Sequence, residues 1–157
     1  GSSCACAMAA DKTALQKAAF KGSLDETRAA VAKLGNADVA LDPYETTALH
    51  FAAIEGHAEL VRVLVSELKA DINRAEEDGK TALMMAAMHG RLDCVKVLIE
   101  LGADKLATPH GGKFMGMTPA DIAKQFGKAD CVAALENEVA SEKPAASLDK
   151  KASASSL

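Results

Sequence analysis

The chain has 157 residues, about the size of one domain, and 49% of them are apolar while only 3% are aromatic. Its formal net charge of −4 disfavours binding to phosphates, so we expect no nucleic-acid partner. No apolar run approaches the length that crosses a bilayer, and we expect no membrane insertion.

The first ten residues differ in composition from the rest of the chain. Residues 1–10 are small residues and one Met, and we expect a flexible leader there. Gly1-Ser2 resembles the remnant of a purification tag. The segment lacks a positively charged region followed by an apolar stretch, so no signal peptide is predicted.

A repeated unit begins after this leader. It is clearest over residues 81–102, where an Ala-rich helix ends at Gly90 and a second helix places Val95, Leu98 and Ile99 on one face. Related units open with a Thr at positions 13, 47, 81 and 118, and a Gly follows each Thr by nine residues. Since a small-residue helix cannot bury both its faces alone, the pattern predicts a stack of units.

The first two units have clear boundaries. Unit 1 begins near residue 11, with helices at about 12–21 and 24–34 and then an extended finger at 38–46. Unit 2 begins at position 47. Its finger at 73–80 contains the turn dipeptide Asp78-Gly79, which predicts a β-hairpin.

The last two units complete a predicted domain over 11–140. Unit 3 begins at position 81 and has a longer finger at 105–117. Unit 4 begins at position 118, and its second helix covers about 129–140. We expect the Ala-, Ser- and Lys-rich segment 141–157 to be a mobile tail.

The repeat resembles the ankyrin repeat family over about residues 11–138. The matching motifs are Thr47-Ala48-Leu49-His50, Ala52-Ala53, Gly56-His57, Leu60-Val61, Val63-Leu64-Val65 and Gly102-Ala103-Asp104. The chain departs from the family at Ala48 and Ala82, where Pro is usual, and at Met84, which replaces the His matching His50. The resemblance implies a solenoid dominated by α-helices, with four stacked helix–turn–helix units and β-hairpin-like fingers.

The same resemblance implies a protein–protein interaction module that binds through its concave face, as an adaptor, scaffold or inhibitor. The alternative is a regulatory or targeting subunit of an enzyme whose catalytic residues lie on a partner chain. The sequence shows no convergent nucleophile, base or metal-ligand set, so we expect neither an enzyme nor a cofactor. We also expect a monomer.

In ankyrin stacks the concave face is formed by two positions late in each first helix and by the fingers. The helix positions are Phe20, Lys21, Ile54, Glu55, Met88, His89, Gln125 and Phe126. The finger positions are Tyr44, Thr46, Glu77, Asp78, Lys80, Phe114, Met115 and Met117. Four of the five aromatic residues and three of the six Met fall in this set, whereas Phe51 maps to the core.

These positions predict an apolar pocket in the C-terminal half of the concave face. Its members are Phe114, Met115, Met117, Phe126 and Met88. Glu77, Asp78 and Glu55 would form an acidic rim, so the expected partner offers an apolar anchor flanked by Lys or Arg. The alternative is that the long fingers partly bury these groups against the helices.

The cysteines and histidines point to structure rather than chemistry. Cys94 and Cys131 occupy the same repeat position and are predicted to be reduced core residues. Cys4-x-Cys6 has no other ligands nearby, and no disulfide framework is evident, which favours the cytoplasm or the nucleus. The resemblance assigns His50 and His57 to bracing of the stack.

Two short motifs add hypotheses of their own. Asn73 resembles the finger site that asparaginyl hydroxylases modify in some ankyrin proteins, and the alternative is that it only stabilises the finger. Ser155-Ser156-Leu157 resembles a peroxisomal signal, from which it departs at the middle residue, and also a PDZ-type ligand.

Overall fold

A computed structural model describes the backbone of residues 2–142 and the side chains of residues 9–136. Within these residues the chain forms eight α-helices and one 3₁₀ helix, which spans Gly112–Phe114. The α-helices are α1 (Ser2–Lys21), α2 (Leu24–Leu34), α3 (Ala48–Glu55), α4 (Ala58–Ser66), α5 (Ala82–His89), α6 (Leu92–Glu100), α7 (Pro119–Gln125) and α8 (Ala129–Glu142).

The helices form two layers. The inner layer is α1, α3, α5 and α7, and each packs on the next; the outer layer is α2, α4, α6 and α8, which pack in the same order. In α3 and α5 every residue of the first six is buried, and their alanines allow neighbouring helices to approach closely. The predicted solenoid of four helix pairs is confirmed.

The start of an inner helix is set by a threonine. Thr81 and Thr118 accept a backbone N–H from the third residue of α5 and α7 through their side chains. At α3 the reciprocal contact is made by His50, whose Nδ1 accepts the N–H of Thr47 (3.2 Å). These bonds satisfy groups that a helix N-terminus otherwise leaves unpaired.

Two ion pairs join neighbouring outer helices. Arg28 of α2 contacts Glu67, which follows α4, at 3.0 Å, and Arg62 of α4 contacts Glu100 of α6 at 2.9 Å. All four side chains are partly exposed, so each pair contributes little to stability.

The prediction of a flexible leader is wrong for residues 2–10. These residues are the first part of α1, which runs without a break to Lys21. Alanine has the highest helix propensity, and neither Gly nor Pro interrupts the segment from Ser2 to Lys21. Thr13 therefore lies inside a helix, where its hydroxyl donates to the backbone O of Ala9 (2.9 Å), and it does not cap one.

The predicted β-hairpin geometry of the fingers is reduced to one bridge. Among the described residues the only β-pairing is an antiparallel bridge between Ala75 and Thr81. The arms of this finger are too short for a ladder. Turns stabilise it instead, since the backbone O of Glu76 accepts the N–H of Gly79 (2.8 Å) and its own N–H donates to Lys80 O (2.9 Å).

The predicted tail begins later than expected, because Ser141 and Glu142 belong to α8. Residues 143–157, with the Ser155-Ser156-Leu157 motif, lie outside the described part of the chain. The side chains of Cys4 and Cys6 lie outside it as well.

Candidate functional site

The three fingers are joined by backbone hydrogen bonds. The N–H of Glu77 in the second finger donates to Tyr44 O in the first (2.8 Å). In the third finger, the N–H groups of His110 and Gly111 both donate to Asp78 O (3.1 and 3.0 Å). The finger tips therefore form one connected ridge rather than three independent loops.

Four of the expected concave-face residues expose large apolar side chains. Met115 is 66% exposed, Tyr44 63%, Phe20 43% and Phe126 40%. Phe20 rests on the buried Phe51, with ring centroids 4.7 Å apart. Met115 and Phe126 lie close together, since Met115 follows Phe114 and the ring of Phe126 packs on Phe114.

Phe114 departs from the prediction of an exposed groove residue. It is only 7% exposed and forms a small buried cluster with Met84 and Ile122. Its ring also packs on Phe126, with centroids 5.6 Å apart, and Lys113 lies over it at 5.1 Å. Phe114 belongs to the core of the third finger.

The predicted pocket is consequently filled. Met88 and Met117 are partly buried against the cluster of Met84, Phe114 and Ile122. The 3₁₀ helix turns the ring of Phe114 inward, toward α5 and α7. Met84 stands where unit 2 has His50, so this unit presents an apolar side chain that the finger must cover. This departure from the repeat is the sequence signal that could have identified the cluster.

Two other predicted positions are not freely available. Thr46 is buried, with 5% of its surface exposed. Lys80 is held between two carboxylates, Glu76 and Asp78, the latter at 3.0 Å. Burial lowers the pKa of Lys80, but these carboxylates outweigh it and the net shift is upward. Lys80 therefore stays charged and neutralises part of the expected acidic rim.

A family of repeat proteins matches the centre of this arrangement. The family described as ankyrin repeats (many copies) matches residues 49–99. Residues 49–99 are therefore ankyrin repeats, as the sequence motifs predicted. Ankyrin repeats are protein–protein interaction modules and are typically non-catalytic. No curated protein matches this ankyrin chain. Within its described residues no helix is long and apolar enough to cross a membrane.

The other expected positions of the ankyrin face vary in availability. Lys21 is exposed and pairs with Glu26 at 2.9 Å, and Gln125 is exposed. Ile54 is partly buried against the main core. His89 lies at the surface, where partial burial and then the charge of Arg91 lower its pKa, so it is neutral near neutral pH.

Asn73 links two neighbouring repeats of the ankyrin stack. Its side-chain O accepts the N–H of Asp104 (2.8 Å), while its own N–H donates to the carboxylate of Asp71 (3.0 Å). One unit earlier, the carboxylate of Asp38 accepts the N–H of Asp71 (2.8 Å). These contacts match the bracing role that the sequence offered as the alternative to hydroxylation.

The histidines and cysteines that attract attention in the sequence are packed. His50 is fully buried, its Nε2–H donates to Lys80 O (3.2 Å), and burial lowers its pKa to about 4. Cys94 and Cys131 are buried, as predicted, and burial raises the pKa of Cys94 to about 11. Among the described residues no group of three or more His, Cys, Asp or Glu could hold a metal ion.

Among the residues with described side chains, one large exposed apolar residue lies outside the predicted set. Leu106 is 72% exposed and borders a hollow with Ala120 and Leu135 at the C-terminal end of the stack. The repeat register assigns it no role on the concave face. Leu106 is therefore a suitable control for substitutions of the exposed apolar residues on that face.

Proposed function

We propose that this ankyrin stack binds a segment of a partner protein across its concave face, as an adaptor, scaffold or inhibitor. The observation that carries the proposal is the exposure of Tyr44 and Met115 on connected fingers and of Phe126 directly after the inner helix α7. Aromatic residues and Met are enriched in the cores of protein interfaces. The exposed side chains form a surface rather than a pocket, because the buried ring of Phe114 fills the space beneath them.

The charge of this face favours a basic partner segment. Glu77 is exposed and Glu55 partly so, and neither takes part in an ion pair among the described residues. Glu76 and Asp78, by contrast, are paired with Lys80. A partner with an apolar anchor flanked by Lys or Arg satisfies both the exposed side chains and the free carboxylates.

The bonds between the fingers make the surface ready to bind. Tyr44 and Glu77 belong to fingers joined at 2.8 Å, and Asp78 joins the next finger. A surface that is ordered before binding loses less conformational entropy when the partner arrives. These three hydrogen bonds between fingers thus support recognition of a partner segment by an ordered surface.

Selection from a displayed library of random peptides against the immobilised full chain tests the proposal. The selected peptides should combine an apolar residue with Lys or Arg. Met115→Ala and Phe126→Ala should each weaken binding of a selected peptide by about 1–3 kcal/mol, measured by calorimetry, because a few central anchors usually dominate affinity.

Leu106→Ala provides the matched control, since it removes an equally exposed apolar side chain that borders the hollow with Ala120 and Leu135 and is not one of the proposed anchors. It should leave peptide affinity unchanged. Peptides that lose affinity with Leu106→Ala but not with Met115→Ala would place the binding surface at the end of the stack and overturn the proposal.

A further inference from the structure

The segment that follows α8 carries the chemistry expected of the partner. Residues 143–157 contain an apolar Leu148 followed closely by Lys150 and Lys151. Three of the chain's 18 basic residues and one of its 22 acidic residues lie in this segment. The segment thus has a formal charge of +2, while residues 1–142 have −6, which together give the chain's −4.

We propose that residues 143–157 occupy the concave face of their own chain and compete with the partner. Leu148 would lie against Met115 and Phe126, and Lys150 and Lys151 would face Glu77. The proposal rests on the proposed function in taking the concave face as the binding surface. It goes further in assigning an internal competitor and hence a means of regulation.

The segment is long enough for this contact. Leu135 of α8 borders the same hollow as Leu106 and Ala120, and the helix continues past that level to Glu142. The chain therefore leaves α8 on the side of the fingers. Six extended residues from Glu142 to Leu148 reach at most about 20 Å, and each unit of a helix stack advances about 8–10 Å. Lys150 and Lys151 lie two and three residues further along, which adds about 7–10 Å of reach toward the second finger.

The contact should be weak enough to be displaced. Exposed ion pairs contribute little, and one apolar anchor is a small interface. A short tether, however, gives the segment an effective concentration in the millimolar range. An intrinsic dissociation constant of about 1 mM would then leave the face covered about half of the time. A partner segment would then bind about twofold more weakly than to an uncovered face.

Amide NMR spectra of the full chain test the proposal without any partner. The variant Leu148→Ser, Lys150→Glu, Lys151→Glu should shift the amide signals of Glu77, Met115 and Phe126, which lie far from the substitutions in sequence. The control is Lys33→Glu, Lys96→Glu, which changes the charge equally at exposed positions of α2 and α6. It should leave those three signals in place.

A charge exchange adds a second test. Adding Glu77→Lys to the chain that carries Lys150→Glu and Lys151→Glu should restore most of the original shifts. Because the pairs are exposed, raising the salt concentration should have the same effect on the natural chain as the tail substitutions do.

Two outcomes would overturn the proposal. Shift changes confined to α8 and the residues after it would show that the segment does not reach the concave face. Shifts that vary with protein concentration would assign the segment to a second copy. Neither outcome affects the peptide selection, so the proposed function stands or fails separately.

Discussion

At the scale of single residues, the neighbours Phe114 and Met115 have different roles, one in the core and one at the surface. Its ring is buried with Met84 and Ile122, whereas the adjacent Met115 is 66% exposed. We expect Phe114→Ala to lower the free energy of unfolding by about 3–5 kcal/mol, the usual cost of truncating a buried Phe. Met115→Ala should change it by less than about 0.5 kcal/mol. Urea unfolding of both variants checks this. Equally small losses of unfolding free energy would show that Phe114 is exposed rather than buried.

His50 should make the stability of the chain depend on pH. Its pKa falls from 6.5 to about 4 on folding, so the unfolded chain binds the proton more readily. The contribution of neutral His50 to the free energy of unfolding is therefore fully present above pH 6.5 and is lost as the pH falls toward 4. Between pH 7.5 and 5 we expect a loss of about 2 kcal/mol from this group, at 1.36 kcal/mol per pKa unit.

The variant His50→Gln isolates that contribution. It should be less stable than the natural chain at pH 7.5, because the bonds to Thr47 and Lys80 change. Between pH 7.5 and 5, however, it should lose about 2 kcal/mol less in urea titrations. Parallel pH profiles for the two chains would contradict the assignment to His50.

Residue exposure is where prediction from sequence is weakest. The repeat register correctly places Phe51 and Cys94 in the core. The length of the third finger hides that Phe114 turns inward, because no other finger is its equivalent. The replacement of the matching His50 by Met84 is the one sequence signal for this buried cluster.

The predictions for Thr46 and Lys80 fail because their contacts depend on how each finger folds back on itself. Thr46 donates its N–H to Asp42, and Lys80 pairs with Glu76 and Asp78. The repeat register does not show either contact.

At the scale of elements, the turns between inner and outer helices join each unit to the next. Gly22 has φ +80°, and a Cβ there would lie 2.6 Å from the ring of His57. That ring donates from Nε2 to Phe20 O (2.7 Å). Gly127 has φ +70°, but no atom lies within 4 Å of the position that a Cβ would take there. The two glycines therefore share a left-handed backbone and differ in packing.

Alanine at each position should separate the two effects. Gly127→Ala should cost about 1–2 kcal/mol, the usual penalty of a left-handed conformation. Gly22→Ala should cost about 1 kcal/mol more, since it also breaks the bond of His57. Chemical unfolding measures both, and the excess should vanish when His57→Ala is present in both chains. If Gly22→Ala still costs more than Gly127→Ala in the His57→Ala background, the extra cost does not come from contact with His57.

Element type and order follow largely from the sequence, while element ends do not. Threonine starts and glycine ends predict α3, α5 and α7, because capping chemistry acts over a few residues. The helical leader is missed because small residues are typical of flexible segments, although alanine also favours a helix. The fingers lack strands because turn signals specify a reversal of the chain and not the length of the arms.

At the scale of the whole molecule, the described core ends with α8. Deleting residues 143–157 should lower the free energy of unfolding by less than about 1 kcal/mol, even with the weak contact proposed above. Neither chelator nor reductant should shift the thermal midpoint, because Cys94 and Cys131 are buried thiols. Scanning calorimetry of the deletion variant, and of the natural chain with chelator or reductant, checks these expectations. A shift of many degrees with either reagent would contradict the packing role of the cysteines.

The pairwise order of the two layers has a consequence for how the protein is made. Each inner helix packs on the inner helix of the adjacent unit, so a newly synthesised unit finds its partner in the one before it. Ribosomes add about 5–20 residues per second, so a repeat of 34 residues takes a few seconds to appear. Helices form in about a microsecond. We expect each unit to dock while the next is still being translated, so that synthesis sets the pace of assembly.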